Sequence, residues 1–191
     1  MTDDIIKFDT SESIQPQKKE EPKLPIFNLV SENDEILKQV LPEFDFNNPP
    51  VNPNAFASSL VETCMKNNGF GLSANQCGFP YRVFVMGAGQ EYIACFNPKV
   101  IKEYDAVHMV EGCLSFPLLA LSITRAKEID VEYQDFTGTT RTAHFNGISA
   151  RCFLHELDHM NGIMYTNRAK PVALQQGFKK RNKIMKKNGL K

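Results

Sequence analysis

Two stretches of the chain space their apolar residues as a helix does. In "AFASSLVETCMKNN", residues 55–68, Phe56, Leu60, Cys64 and Met65 recur about every four residues, so a helix is expected, capped by Asn54 and stopped at Asn68-Gly69. A second helix is expected from about Ile148 to Met160, ending at Asn161-Gly162, and a basic one from about Val172 to Lys187. Upstream, "ENDEILKQVL" predicts a short helix capped by Ser31 or Asn33, after which the Pro-Asn stretch "NNPPVNPN" interrupts the chain. "RVFVMG" and "YIACFNPKVI" read as strands, and the alternation in "EIDVEYQDFTGTTRTAHF", with a turn at Thr137-Gly138, reads as a hairpin. Helices mix with antiparallel strands without a βαβ rhythm, which makes the class α+β, with strands and hairpins around a central helix.

Residues 1–23 are polar, Pro-containing and aperiodic, the pattern of a disordered tail. A single domain over 24–168 and a basic C-terminal helix over 169–191 account for the remainder. The chain of 191 residues is long enough for one real core, and no apolar run approaches the eighteen or so residues of a membrane span. Lys plus Arg and Asp plus Glu balance at 22 each, so no global field draws the protein to nucleic acid or to a membrane. Locally, residues 179–191 hold seven Lys or Arg and no acid, which suits either a solvated helix end or an acidic partner such as the ribosome. The acidic N-terminus shows no signal or transit peptide, and five cysteines are too few and odd in number for a disulfide scaffold. A cytoplasmic protein is expected.

Candidate chemistry is concentrated in "HELDHMNG", residues 155–162. On a helix His155 and His159 lie one turn apart on one face, so both imidazoles can reach one ion. Glu156 is turned by about 100° from His155, beside such an ion rather than on it, where a general base belongs. A solvated helix face would carry the same pair. Ile148, Phe153 and Met160, however, make much of this helix apolar, and charged groups on a buried helix need partners to offset desolvation. "EGCLSFP", residues 111–117, offers Cys113 as a third ligand, although cysteine is also a common small core residue. Three protein ligands would leave a coordination position for water and imply catalysis. Adding Cys152, three residues before His155, would instead close a structural Cys2His2 site. In "GFGLSANQ", residues 69–76, Gly69 and Gly71 permit close backbone approach and Gln76 supplies an amide; the Lys-Ser/Thr of a phosphate-cradling loop is missing.

Together, "GFGLSANQ", "EGCLS" and "HELDH", in this order and at these separations, resemble the three signature motifs of the peptide deformylases. The resemblance covers about residues 55–165. It implies a single catalytic domain around a metal-binding helix, and removal of the formyl group from the N-terminal formyl-methionine of nascent polypeptides, releasing formate. It further implies one divalent metal ion, Fe(II) in the cell with Zn, Ni or Co as substitutes, held by Cys113, His155 and His159. Glu156 would be the general acid/base, and Gln76 with the backbone N–H of Leu114 would stabilise the oxyanion. The Gly69-Phe70-Gly71 backbone would pair with the peptide like an added strand, and Phe70, Ile148 and Cys152 would line a methionine pocket. That role moves Cys152 from ligand to pocket wall.

A buried pairing of Arg125 with Asp158 is expected as well. The chain departs from the family pattern at Leu154, Ser73 and Asn75, and "SFPLLALSITR" lacks the basic residue that many bacterial members carry after the cysteine motif. Three rival functions share some of these residues: a metal-stapled module that binds formyl or amino termini, a zinc peptidase, and a cysteine nucleophile at Cys113 with His155 as base.

Overall fold

The computed structural model describes residues 24–189, so the tail expected over 1–23 lies outside the described residues. The first helix, α1 (Pro53–Lys66), buries Phe56, Leu60 and Cys64, the stripe expected at every fourth position. Its cap is Asn52, not Asn54: the Asn52 side chain accepts from Ala55 N at 2.9 Å. Proline suits the first helical position because its missing N–H would be unpaired there anyway, so Pro53 moves the start two residues upstream. The short helix near residue 35 is also smaller than expected. It is one 3₁₀ turn, Glu35–Lys38, capped by Asp34, whose carboxylate accepts from Ile36 N, while Ser31 only accepts from Asn33 N.

Five antiparallel strands follow in sheet order β1 to β5: β1 (Gly71–Ser73), β2 (Val83–Ala88), β3 (Glu91–Cys113), β4 (Phe116–Gln134) and β5 (Thr140–Asn146). The β4–β5 hairpin turns where expected, with Gly138 at φ 81°. β3 runs past the expected "YIACFNPKVI" as far as Cys113 and pairs with β4 through three irregularities in register. β1 sits at one edge and pairs only with β2, Gly71 facing Met86. Because Gly87 N donates to Phe70 O, alternation along an antiparallel ladder turns the N–H and C=O of Gly71 away from β2, toward the open edge.

Helix α2 (Gly147–Met160) packs against β1, β2, β4 and β5, and thus bridges the two ends of the sheet. Its apolar side, Ala150, Phe153, Leu154 and Met160, joins Phe84, Ile129 and Val131 in one buried cluster, with the Phe84 and Phe153 rings edge-to-face at 5.1 Å. α2 ends at Asn161, and Gly162 follows at φ 68°; a Cβ there would strike the carbonyl of Lys38, so the close approach of the 3₁₀ turn requires glycine. A second cluster lies between α1 and β1–β3, where Phe44, Phe56, Leu72, Val85 and Phe96 meet. The basic helix, α3 (Pro171–Lys187), packs Leu174 and Phe178 against Leu119, Leu121 and Ile123 of β4. No helix among the described residues is long and apolar enough to cross a membrane.

Candidate functional site

Helical phase brings His155, Glu156 and His159 to the inner side of α2, and the end of β3 brings Cys113 to the same place. The Sγ of Cys113 and one ring nitrogen from each histidine lie within 4.8 Å of one another. Cys113 Sγ is 3.4 Å from His159 Nε2, and the two imidazole centroids are 5.2 Å apart. Burial opposes charge on Cys113, yet the charges and hydrogen bonds of His159 and His155 hold its thiol well below the usual range. Burial equally opposes charge on His155, but hydrogen bonds to Cys113 and Glu111 push it up to about 10. Positive charge beside the half-buried sulfur thus favours its anion. The Nδ1 of His159 is buried and has no hydrogen-bond partner among the described residues, so the ring is held on its polar side through Nε2 at Cys113 Sγ. Soft thiolate plus imidazole is a donor set that suits Zn or Fe, and these three residues could hold such an ion. Cys152 stands outside the group; its thiol donates to Phe70 O at 3.4 Å, which leaves the four-ligand alternative without its fourth member.

Glu156 is buried beside this cluster. Its Oε2 accepts from Ser73 Oγ at 2.6 Å, and burial lifts its carboxyl above the usual range although His155, His159 and Ser73 pull the other way. The backbone of β1 covers the other oxygen: a Cβ on Gly71 would lie 2.5 Å from Glu156 Oε1 and 2.8 Å from Cys152 Sγ. Gly71→Ala is therefore expected to displace the carboxylate and lower kcat/KM by about a hundredfold, the effect of a misplacement near 1 Å, with far-UV circular dichroism unchanged. Gln76 lies in the 3₁₀ turn Ala74–Cys77, where its Oε1 accepts from Ser73 N at 2.9 Å. Its Nε2 is 3.5 Å from Cys113 Sγ and donates to Ser115 Oγ at 3.0 Å. Gln76 and His159 are both deeply buried, and each places a side-chain nitrogen against Cys113 Sγ.

A cavity of about 460 Å³ opens onto the cluster. Gly69, Phe70, Gly71, Leu114, Ile148 and Cys152 all line it, together with Cys113, His155 and Glu156. Phe70 and Ile148 are 63% and 64% exposed, so they form its rim rather than its floor.

Sequence reading missed the support beneath His155. Glu111 Oε2 lies 3.0 Å from His155 Nδ1, and the same carboxylate accepts from Arg125 Nε at 2.7 Å, from Arg125 Nη2 at 3.1 Å and from Arg151. Arg125 also reaches Asp158 at 2.7 Å, the pairing expected from the sequence, and Arg168 closes on Asp158 at 2.5 Å. The usable signal was an acid two residues before Cys113. A carboxylate behind an imidazole fixes its tautomer and ring orientation, which prepares it as a ligand. Arg125→Met would leave two buried carboxylates each short of a partner. A loss of about 3 kcal/mol in urea unfolding is expected, the low end for breaking a buried ion pair, because Arg151 and Arg168 remain.

Comparison with known proteins agrees with this geometry. The family model described as polypeptide deformylase matches residues 26–175. A peptide deformylase of Elusimicrobium minutum is 31% identical over 175 residues, covering 86% of this chain and 99% of its own. One from Thermotoga neapolitana is 38% identical over 113 residues, covering 59% of this chain and 69% of its own. Among solved structures, a Synechococcus elongatus peptide deformylase in complex with actinonin superposes with a TM-score of 0.77 at 27% identity, covering 84% of this chain and 90% of that one. With the family model spanning well over half of its residues and the fold shared over most of the chain, the chain belongs to the polypeptide deformylase family.

Proposed function

We propose that Cys113, His155 and His159 hold one divalent metal ion, and that Glu156, Gln76 and the backbone N–H of Leu114 carry out the proton transfers and charge stabilisation of deformylation. The protein is a metal-dependent hydrolase that removes the N-terminal formyl group from nascent polypeptides. What supports the residue assignment is the convergence of one sulfur and two imidazole nitrogens at the inner end of a cavity that Glu156 also lines. When bound, the metal supplies Lewis acidity toward the formyl carbonyl and makes water easier to deprotonate.

The chain's own groups do the rest. Glu156 takes the proton of the attacking water and returns it to the departing amine, and a carboxyl lifted by burial suits both halves of that transfer. Gln76 Nε2 and Leu114 N–H donate to the oxyanion, each worth about 3 to 4 kcal/mol in rate. The outward N–H and C=O of Gly71 take the peptide as a further strand next to Gly69 and Phe70, while the methionine side chain enters between Ile148 and Cys152.

The ion is Fe(II), for which Zn, Ni or Co can substitute in a mixed sulfur and nitrogen set. The protein works in the cytoplasm, consistent with five free cysteines. The exposed Lys179, Lys180, Lys183, Lys186 and Lys187 of α3 meet the ribosome where nascent chains emerge. Since Leu174 and Phe178 pack against the core, charge reversal of these lysines, read by ribosome pelleting, tests that contact more cleanly than truncation.

Formate release from formyl-Met-Ala-Ser tests the whole reading. It should vanish on chelation, return with anaerobic Fe(II), and be absent for the unformylated peptide, whose cleavage would instead indicate a peptidase.

A further inference from the structure

The mouth of the cavity carries no exposed charge and, Asn68 apart, is apolar, and we propose that it selects the residues following formyl-methionine for apolar side chains. This inference rests on the deformylase reading of the same cavity. Phe70, just before β1, Val110, near the end of β3, and Ile148, in the first turn of α2, are 63%, 69% and 64% exposed and all line the opening. Scattered exposed apolar residues are ordinary on a protein surface; three brought from three separate elements to one opening form a patch with a use. The charged residues that line the cavity, Glu111, Arg151, His155 and Glu156, are all buried, and Glu111 and Arg151 are paired with each other.

A peptide whose methionine occupies the cavity must lead its next residues across this rim. An apolar side chain there covers Phe70, Val110 and Ile148 and removes area from water on both partners. An Asp or Lys side chain meets no opposite charge and is partly desolvated against the same three residues. Side chains along an added strand alternate in direction, so either the second or the third residue makes this contact.

The test is formate release with formyl-Met-X-Ser and formyl-Met-Ala-X, where X is Leu, Ala, Asp or Lys. At one of the two positions kcat/KM for Leu should exceed that for Asp and for Lys by about tenfold, carried mainly in KM, as one or two buried methylenes would give. Val110→Lys should move the preference toward Asp at that position. Equal rates across both series, with formyl-Met-Ala-Ser still turned over, overturn the inference and leave the deformylase reading standing. A preference that Val110→Lys leaves unchanged also overturns it, since the rim would then not be its source. Absence of turnover with formyl-Met-Ala-Ser would instead reject the underlying reading.

Discussion

Glu156→Ala is expected to lower formate release from formyl-Met-Ala-Ser by about three orders of magnitude while metal content stays at one ion per chain. The expectation rests on where the carboxylate lies. Glu156 is next in sequence to His155 yet outside the group of candidate ligand atoms, and one of its oxygens is occupied by the Ser73 hydroxyl. Removing it should leave the three candidate ligands and the contact of Glu111 with His155 in place and take away only the proposed proton carrier. A fall of less than about tenfold would place proton transfer elsewhere, because a positioned acid or base is typically worth a hundredfold or more. Loss of the ion together with activity would make Glu156 a ligand. Glu156→Gln keeps the shape and the contact to Ser73, and should be nearly as inactive as Glu156→Ala if the role is proton transfer.

Cys113→Ser is expected to abolish activity by a different route, with bound metal falling to less than about a tenth of an ion per chain after dialysis. Changes to groups behind a ligand cost about 10- to 100-fold in metal affinity, and loss of a ligand itself costs more. Serine preserves the volume at the end of β3, so the fold should survive. Its hydroxyl does not ionise near neutral pH, so the two imidazoles would lose the anion that His155 and His159 stabilise. Metal analysis beside circular dichroism separates this outcome from unfolding. A fully loaded Cys113→Ser protein would mean that the sulfur is not a ligand.

Local elements were legible to the degree that neighbouring residues determine them. The α1 stripe of Phe56, Leu60 and Cys64, the Thr137-Gly138 hairpin and the stop at Asn161-Gly162 all follow from spacing and turn chemistry. The cap of α1 was misplaced because two asparagines flank Pro53, and only the fit of proline at the first helical position decides between them. The far half of β3 was hidden for another reason. From Ile101 to Val110 it is largely exposed on both faces, so no apolar alternation marks it, and pairing with β4 supplies the regularity instead. In β4, Leu119, Leu121 and Ile123 do alternate, but Arg125 continues the buried phase with a charge that makes sense only opposite Glu111 and Asp158.

By itself the sequence determined that His155 and His159 share one face of a helix and that Glu156 points beside them, because 3.6 residues per turn relates such neighbours whatever surrounds them. Only the tertiary structure decided what meets that face. Cys113 comes to His159 across 46 positions of chain, Glu111 to His155 across 44, and Ser73 to Glu156 across 83. The packing of α2 against β1, β2 and β4 sets those distances, and no local periodicity encodes how one element lies against another. For the same reason the exposed ring of Phe70 became part of the cavity mouth only once β1, β3 and α2 had converged there.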